Sequence, residues 1–239
     1  MISTRFLEKD RATQERWFRM KLHKKFSRRI HTLFLWRLHR KLNKEFYIRE
    51  KTINEAIDSV VSAHKKVDSK LFPATKEFFN IALYFLLAER DVQALKADAF
   101  CHPNETKRNI ALRTLLLTIY EWDMSKVTGR KMKFIYDVSS LSDNLKSGLA
   151  KSLKDLRSAR KSVQRNFSET RHNTIAHREP DAFLQHEIIF KLDIRKHSAE
   201  ITKFYEASNK VLSYLTLSTQ EVSTMTGLFR QILNNRTKA

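Results

Sequence analysis

The chain has 239 residues, of which 41% are hydrophobic and 30% charged, a balance typical of a globular protein. It contains only three glycines, where about 17 would be average for this length, and three prolines. This shortage excludes barrels, sandwiches and the glycine-rich nucleotide-binding loops, and it favours an all-α protein. A net charge of +20 indicates a polyanionic partner.

Residues 1–50 predict a long, basic, amphipathic helical extension ahead of a helical bundle domain that spans 51–239. Residues 1–51 hold 16 Lys and Arg against 5 Asp and Glu. Apolar residues recur at every fourth position, which suits a helix whose apolar stripe winds around its surface. They are Phe18, Leu22, Phe26, Ile30, Phe34, Leu38, Leu42 and Phe46. Three interpretations remain open: a docked helix with a solvated basic face, a nucleic-acid-binding arm, and a helix on a membrane surface.

The bundle domain opens with a predicted capping box, Thr52 and Glu55, which would start a helix that runs to about Lys66. A break follows over 68–73. Residues 75–100 are apolar on nearly every side, which predicts the central buried helix.

Later helices follow from capping residues and apolar periodicity. Asn104 is expected to cap a helix that runs to about Val127. Residues 145–166 predict an amphipathic helix with a basic outer face, formed by Lys146, Lys151, Lys154, Arg157, Arg160 and Lys161. Two further helix starts are indicated, at Asp181 and at a second capping box, Ser218 and Glu221. In all, we expect a bundle of six to eight helices with a long basic N-terminal helical extension.

Metal and cofactor sites are not predicted. The nine histidines form no His-x-x-x-His pair, and the single cysteine, Cys101, excludes a thiolate zinc site. His23, His31 and His39 recur every eight residues, about 12 Å apart along a helix, which is too far to share an ion. The lone cysteine and the lack of a long apolar run suit a cytoplasmic protein.

Residues 169–180, ETRHNTIAHREP, combine an arginine, two histidines and polar side chains at the end of the basic helix. A histidine can transfer a proton near neutral pH, and an arginine can hold a phosphate through two hydrogen bonds. RNA cleavage by 2′-hydroxyl attack needs only such groups, because the substrate supplies the nucleophile. The segment therefore predicts a site for cleaving RNA without a metal.

The run Arg171-His172-Asn173-Thr174-Ile175-Ala176-His177 resembles the motif of the HEPN superfamily, the higher eukaryotes and prokaryotes nucleotide-binding domain. The ending Ile-Ala-His-Arg-Glu is similar to the abortive-infection branch of that superfamily. The resemblance covers roughly residues 75–217. It implies a metal-independent endoribonuclease of a toxin or phage-defence type, working as a homodimer whose two motifs face a shared cleft.

The resemblance implies Arg171, His172 and His177 as catalytic residues. The residues predicted to bind RNA are Lys154, Arg157, Lys161, Arg165, Asn173 and Arg178. A second register, Arg165-Asn166 with His172, also fits the motif. In a purely structural interpretation, His177 lies at a helix junction and Arg171 pairs with Glu169 or Glu179.

Three functions remain open from the sequence. The first is the ribonuclease, with RNA as substrate and an antitoxin or defence protein as partner. In members of the resembled family that are paired with a nucleotidyltransferase antitoxin, a tyrosine often lies two residues after the motif histidine. This chain has Glu179 at that position, which argues against regulation by such an antitoxin. The second is a non-catalytic nucleic-acid-binding helical protein. The third is a structural or partner-binding bundle, including one on a membrane surface.

Overall fold

The computed structural model describes residues 10–139, 141–173, 180–192 and 194–236. Over this part of the chain the fold is all-α, with eight helices of ten or more residues and one single-turn helix, as the composition predicts. In chain order they are α1 (Arg11–Lys66), α2 (Pro73–Cys101), α3 (Glu105–Glu121), α4 (Ser125–Thr128), α5 (Arg130–Ser139), α6 (Asp143–Arg171), α7 (Ala182–Lys191), α8 (Ile194–Val222) and α9 (Met225–Arg236).

Helix α2 is the centre of the bundle, as its all-round apolar pattern predicts. It packs against α1, α3, α5 and α8, and α6 packs between α3 and α8. Phe78, Ile81 and Phe85 have no solvent exposure. The Trp122 ring meets Phe85 and Phe204 edge-on, with centroids 5.1 and 5.6 Å away. Burial of each such side chain contributes about 1.5–3 kcal/mol, so this aromatic cluster stabilises the centre of the fold.

Helix α1 is a single helix of 56 residues, about 84 Å long, that continues through residue 50. Asp10 caps its start by accepting the Thr13 N–H. The predicted helix start at Thr52 is wrong: Thr52 lies inside α1, and its hydroxyl donates to the Ile48 carbonyl. No proline or glycine interrupts the run, so the backbone ladder continues past the Thr52–Glu55 pair.

The second half of α1 lies antiparallel to α2, whereas its first half is exposed. Three contacts spaced along both helices fix this direction: His39 with Asp98, Arg49 with Glu89, and Lys76 Nζ with the His64 carbonyl. In the first half, several large apolar side chains are exposed, among them Phe18, Leu22, Phe26, Ile30, Phe34 and Trp36. None of the described helices combines the length and the apolar composition needed to cross a bilayer.

The end of α3 differs from the sequence prediction. Helix α3 ends at Glu121 rather than near Val127. Just beyond this end, the Asp123 carboxylate accepts hydrogen bonds from the N–H and the hydroxyl of Ser125, the first residue of α4. These Ser125 hydrogen bonds hold the pKa of Asp123 below its ordinary value.

The second predicted capping box is also wrong. Ser218 and Glu221 lie inside α8, and the next helix start is capped by Thr224, whose hydroxyl accepts the Gly227 N–H. Glu221 instead accepts hydrogen bonds from the backbone and hydroxyl of Ser142, at 2.7 and 2.9 Å. It therefore caps the start of α6 from a distant part of the chain.

Candidate functional site

The described residues of the HEPN-like motif, Arg171, His172 and Asn173, lie at the C-terminal end of α6. Arg171 is the last residue of that helix, and the His172 N–H donates to the carbonyls of Ser168 and Glu169. His172 is exposed and Asn173 is half-buried. His177 and Arg178 lie outside the described residues, as does Glu179. Of the three predicted catalytic residues, the structure thus places Arg171 and His172.

Arg171 is held by the end of α3. Its Nε donates to Glu121 Oε1 at 2.6 Å, and its guanidinium lies 4.9 Å from the centroid of the Tyr120 ring. The side chain is 30% exposed. The structural interpretation of the sequence expected an acidic partner within the motif, at Glu169 or Glu179; the described partner is Glu121, on another helix. An arginine bonded through Nε keeps two Nη groups as further donors, so it can still face an anion.

The end of α3 is itself fixed to α6 by hydrogen bonds to one carbonyl. The Tyr120 oxygen accepts from Arg160 Nε and Nη2, at 3.2 and 2.8 Å, and from Gln164 Nε2 at 3.0 Å. Carbonyls at the last turn of a helix have no partner within the helix, so side chains from α6 satisfy this one. Arg171 therefore lies on a rigid support rather than on a loose loop.

A buried histidine–glutamate pair that the sequence analysis missed lies beside α6. His197 and Glu200 are one turn apart near the start of α8, with His197 Nδ1 3.3 Å from Glu200 Oε2. The Asn166 amide donates to Glu200 Oε1. His197 is only 7% exposed, and its ring lies 6.5 Å from the Phe167 ring. The His-x-x-Glu spacing in the sequence could have indicated that His197 and Glu200 are neighbours on one helix face. The contact of Glu200 with Asn166, however, depends on how α6 and α8 pack.

A cavity of about 480 Å³ lies between α6, α7 and α8, next to this pair. Its lining includes Asn166, Thr170, Leu184, Ile188, Lys191 and His197. The cavity is bounded on one side by the last turns of α6, the helix that carries the motif. It is large enough to take a nucleobase or a similar planar group.

The predicted RNA-binding residues of α6 are largely exposed. Lys154, Lys161 and Arg165 differ by 7 and 4 positions, so they share one face of the helix within about 40°. We call these three residues the α6 cationic stripe. Arg157 is exposed but donates to the Thr128 hydroxyl at 2.8 Å, so part of its role is to hold α4.

A second group of titratable side chains lies at the other end of α3. His39, Asp98 and His102 each offer one ligand atom, and these atoms lie within 4.8 Å of one another. Local spacing could not reveal this group, because His39 and Asp98 are 59 residues apart and meet only where α1 crosses the end of α2.

Comparison with family models, with curated proteins and with solved structures found no match for this chain. The arrangement at the end of α6 is therefore interpreted on its own chemistry. An anchored guanidinium, an exposed imidazole next to it in the chain and a cationic helix face that continues to the imidazole can bind a phosphodiester chain and position one phosphate.

Proposed function

We propose that this protein is a metal-independent endoribonuclease that cleaves RNA by 2′-hydroxyl attack. The observation that carries the proposal is the α6 cationic stripe, whose face continues to His172, while Arg171 lies about 100° around the helix on the side that meets α3. Spaced cations of this kind bind a sugar–phosphate backbone with little dependence on sequence. The chain's charge of +20 adds a long-range attraction for the same substrate.

In the proposed reaction, Lys154, Lys161 and Arg165 hold phosphates on one side of the cleavage point. Arg171, oriented by Glu121, donates hydrogen bonds to the scissile phosphate and stabilises its growing negative charge. A histidine of the motif takes the 2′-hydroxyl proton. The 2′-oxygen then bonds to phosphorus while the bond to the 5′-oxygen breaks, and the leaving oxygen takes up a proton.

This reaction needs an acid as well as a base, and a single motif offers few groups for both roles. We propose that two copies of the chain associate with their motifs facing each other, so that residues of both surround one phosphate. The HEPN-like motif supports this arrangement. A toxin or phage-defence role, with an antitoxin or defence protein as partner, belongs to the same proposal.

The alternative function is non-catalytic nucleic-acid binding. The Arg171–Glu121 ion pair favours this alternative, because a carboxylate 2.6 Å away offsets the charge that a scissile phosphate would meet. In that case the basic face of α6 and the exposed basic residues of α1 bind the backbone, and no proton transfer occurs.

The deciding experiment compares cleavage and binding of a labelled single-stranded RNA in the full chain and in His177→Ala. A ribonuclease loses turnover by about 10²–10⁴-fold while its affinity changes little. Cleavage persists in EDTA and yields a 2′,3′-cyclic phosphate or its opened form. His31→Ala, an exposed histidine of α1, is the matched control. Binding without cleavage in the wild type supports the alternative and contradicts the ribonuclease.

A further inference from the structure

We propose that His39, Asp98 and His102 form a binding site for a divalent late first-row metal ion such as Zn²⁺, which fastens α1 to the end of α2. The three side chains come from two neighbouring parts of the fold. His39 lies midway along α1, Asp98 in the last turn of α2, and His102 directly after that helix.

The geometry of the group suits a metal ion after small side-chain movements. His39 Nε2 lies 2.6 Å from Asp98 Oδ1, and the His39 and His102 ring centroids are 5.1 Å apart. In a tetrahedral zinc site the ligand atoms are about 3.3 Å apart. The three ligand atoms lie within 4.8 Å of one another, so side-chain rotations that move them by roughly 1 Å would let them act as three of the four ligands of a zinc ion. Water would supply the fourth.

The chemistry of the donors points to this class of ion. Two imidazole nitrogens and one carboxylate oxygen suit Zn²⁺, Ni²⁺, Co²⁺ or Cu²⁺, whereas Mg²⁺ and Ca²⁺ prefer oxygen ligands alone. The His39 side chain is 18% exposed, so its ring is already held in place, while the Asp98 side chain is 50% exposed and leaves a path for an ion to enter.

Each imidazole also has a polar group near its other nitrogen, as metal-binding histidines usually do. His102 Nδ1 accepts the Asn104 backbone N–H at 3.0 Å, and the Asn104 carbonyl oxygen lies 3.3 Å from the same nitrogen and can accept its proton if the tautomer changes on metal binding. The Asn43 amide nitrogen lies 3.4 Å from His39 Nδ1 and 3.3 Å from His39 Nε2, and its oxygen and nitrogen can exchange places by a flip. His39 already directs Nε2 at Asp98, and His102 can present Nε2 to an ion once its proton moves to Nδ1.

The proposed metal site is independent of the proposed ribonuclease. His102 precedes α3 and Arg171 contacts its last residue, so the two sites lie about 25 Å apart along this helix of 17 residues. A bound ion would instead join α1 to α2 near the point where the first half of α1 leaves the bundle. The outcome of a metal-binding experiment thus leaves the cleavage experiment unaffected.

The test uses the full chain without a histidine tag and titrates it with Zn²⁺ by isothermal calorimetry, and with Co²⁺ by visible absorption. We expect one ion per chain, and Co²⁺ bands typical of a site with nitrogen and oxygen ligands. His39→Ala and His102→Ala should each weaken Zn²⁺ binding by more than about tenfold and remove the Co²⁺ bands. His31→Ala, an exposed histidine two turns earlier on α1, should bind as the wild type does.

Circular dichroism checks that each variant is folded. If an alanine variant loses helix, His39→Gln and Asp98→Asn replace it, since their amides are similar in size to the original groups but poorer ligands. The proposal is overturned if the wild type binds no Zn²⁺ at one equivalent, or if the folded His39 and His102 variants bind it as tightly as His31→Ala does.

Discussion

Arg171 and Glu121 lie 50 positions apart in the chain and form an ion pair of 2.6 Å between Nε and Oε1. The pair joins the last residue of α6 to the last residue of α3. It also decides what the motif arginine can do, because the same carboxylate that orients the guanidinium competes with any phosphate for it. A substitution of Glu121 can therefore show whether this carboxylate mainly orients the Arg171 guanidinium or mainly competes with a phosphate for it.

Glu121→Gln should change the free energy of unfolding by less than about 1 kcal/mol, because the Glu121 side chain is 53% exposed and such pairs are weak. The amide oxygen can still accept from Arg171 Nε, but the negative charge is gone. We expect tighter RNA binding, measured by fluorescence anisotropy. Glu105→Gln, at the start of α3, is the control. Unchanged RNA affinity in Glu121→Gln would show that Arg171 does not contact the phosphate chain.

Two histidine variants can distinguish the two possible alignments of the motif, Arg171 with His177 and Arg165-Asn166 with His172. If Arg171 and His177 act together, His177→Ala should abolish cleavage and His172→Ala should reduce it only mildly. If Arg165, Asn166 and His172 are instead the functional residues, His172→Ala should abolish cleavage and His177→Ala should reduce it only mildly. Single-turnover cleavage rates at saturating protein measure this without interference from binding. Full activity in both variants would leave only the non-catalytic function.

The α6 cationic stripe should control the salt dependence of RNA binding. Lys154→Ala, Lys161→Ala and Arg165→Ala should each lower the slope of log affinity against log salt concentration by about 0.7, because each releases one counterion fewer from a single strand. Lys203→Ala, an exposed lysine of α8, should leave the slope unchanged. A slope near zero in the wild type would rule out electrostatic RNA binding altogether.

The proposed dimer predicts that the ends of two α6 helices lie close together. Asn173→Cys should therefore give a covalent dimer under mild oxidation, while Ser147→Cys, near the other end of α6, should not. The native Cys101 is 3% exposed and should not interfere. Reducing and non-reducing gels measure the product, and light scattering gives the mass. A monomer at tens of micromolar with full activity would contradict the dimer.

Phe85→Ala should destabilise the fold by about 3–5 kcal/mol, because Phe85 has no solvent exposure and its ring contacts Trp122 at the centre of the bundle. Urea unfolding followed by circular dichroism gives the change. Phe134 on α5 is 45% exposed, so Phe134→Ala should change stability by less than about 0.5 kcal/mol. Equal effects of the two substitutions would mean that α2 is not the centre of the core.

Side-chain composition and local periodicity were enough to predict the helices and their central member. Almost no glycine or proline, together with apolar residues at helical spacing, left few alternatives to an all-α bundle. The caps at Asn104 and Asp181 were also predictable, because a cap bonds only to backbone a few residues away: Asn104 accepts from Lys107 N–H, and Asp181 from the N–H groups of Phe183 and Leu184.

Only the tertiary structure decided which polar groups meet. The capping boxes at Thr52 and Ser218 have the right local pattern, yet the helices continue through both, because nothing in a four-residue pattern reports whether the preceding turn is already helical. Likewise Arg171 meets Glu121, and His39 meets Asp98, across 50 and 59 residues. Such contacts depend on the angle and register at which long helices pack, which is set by the summed burial of many apolar side chains rather than by any one residue.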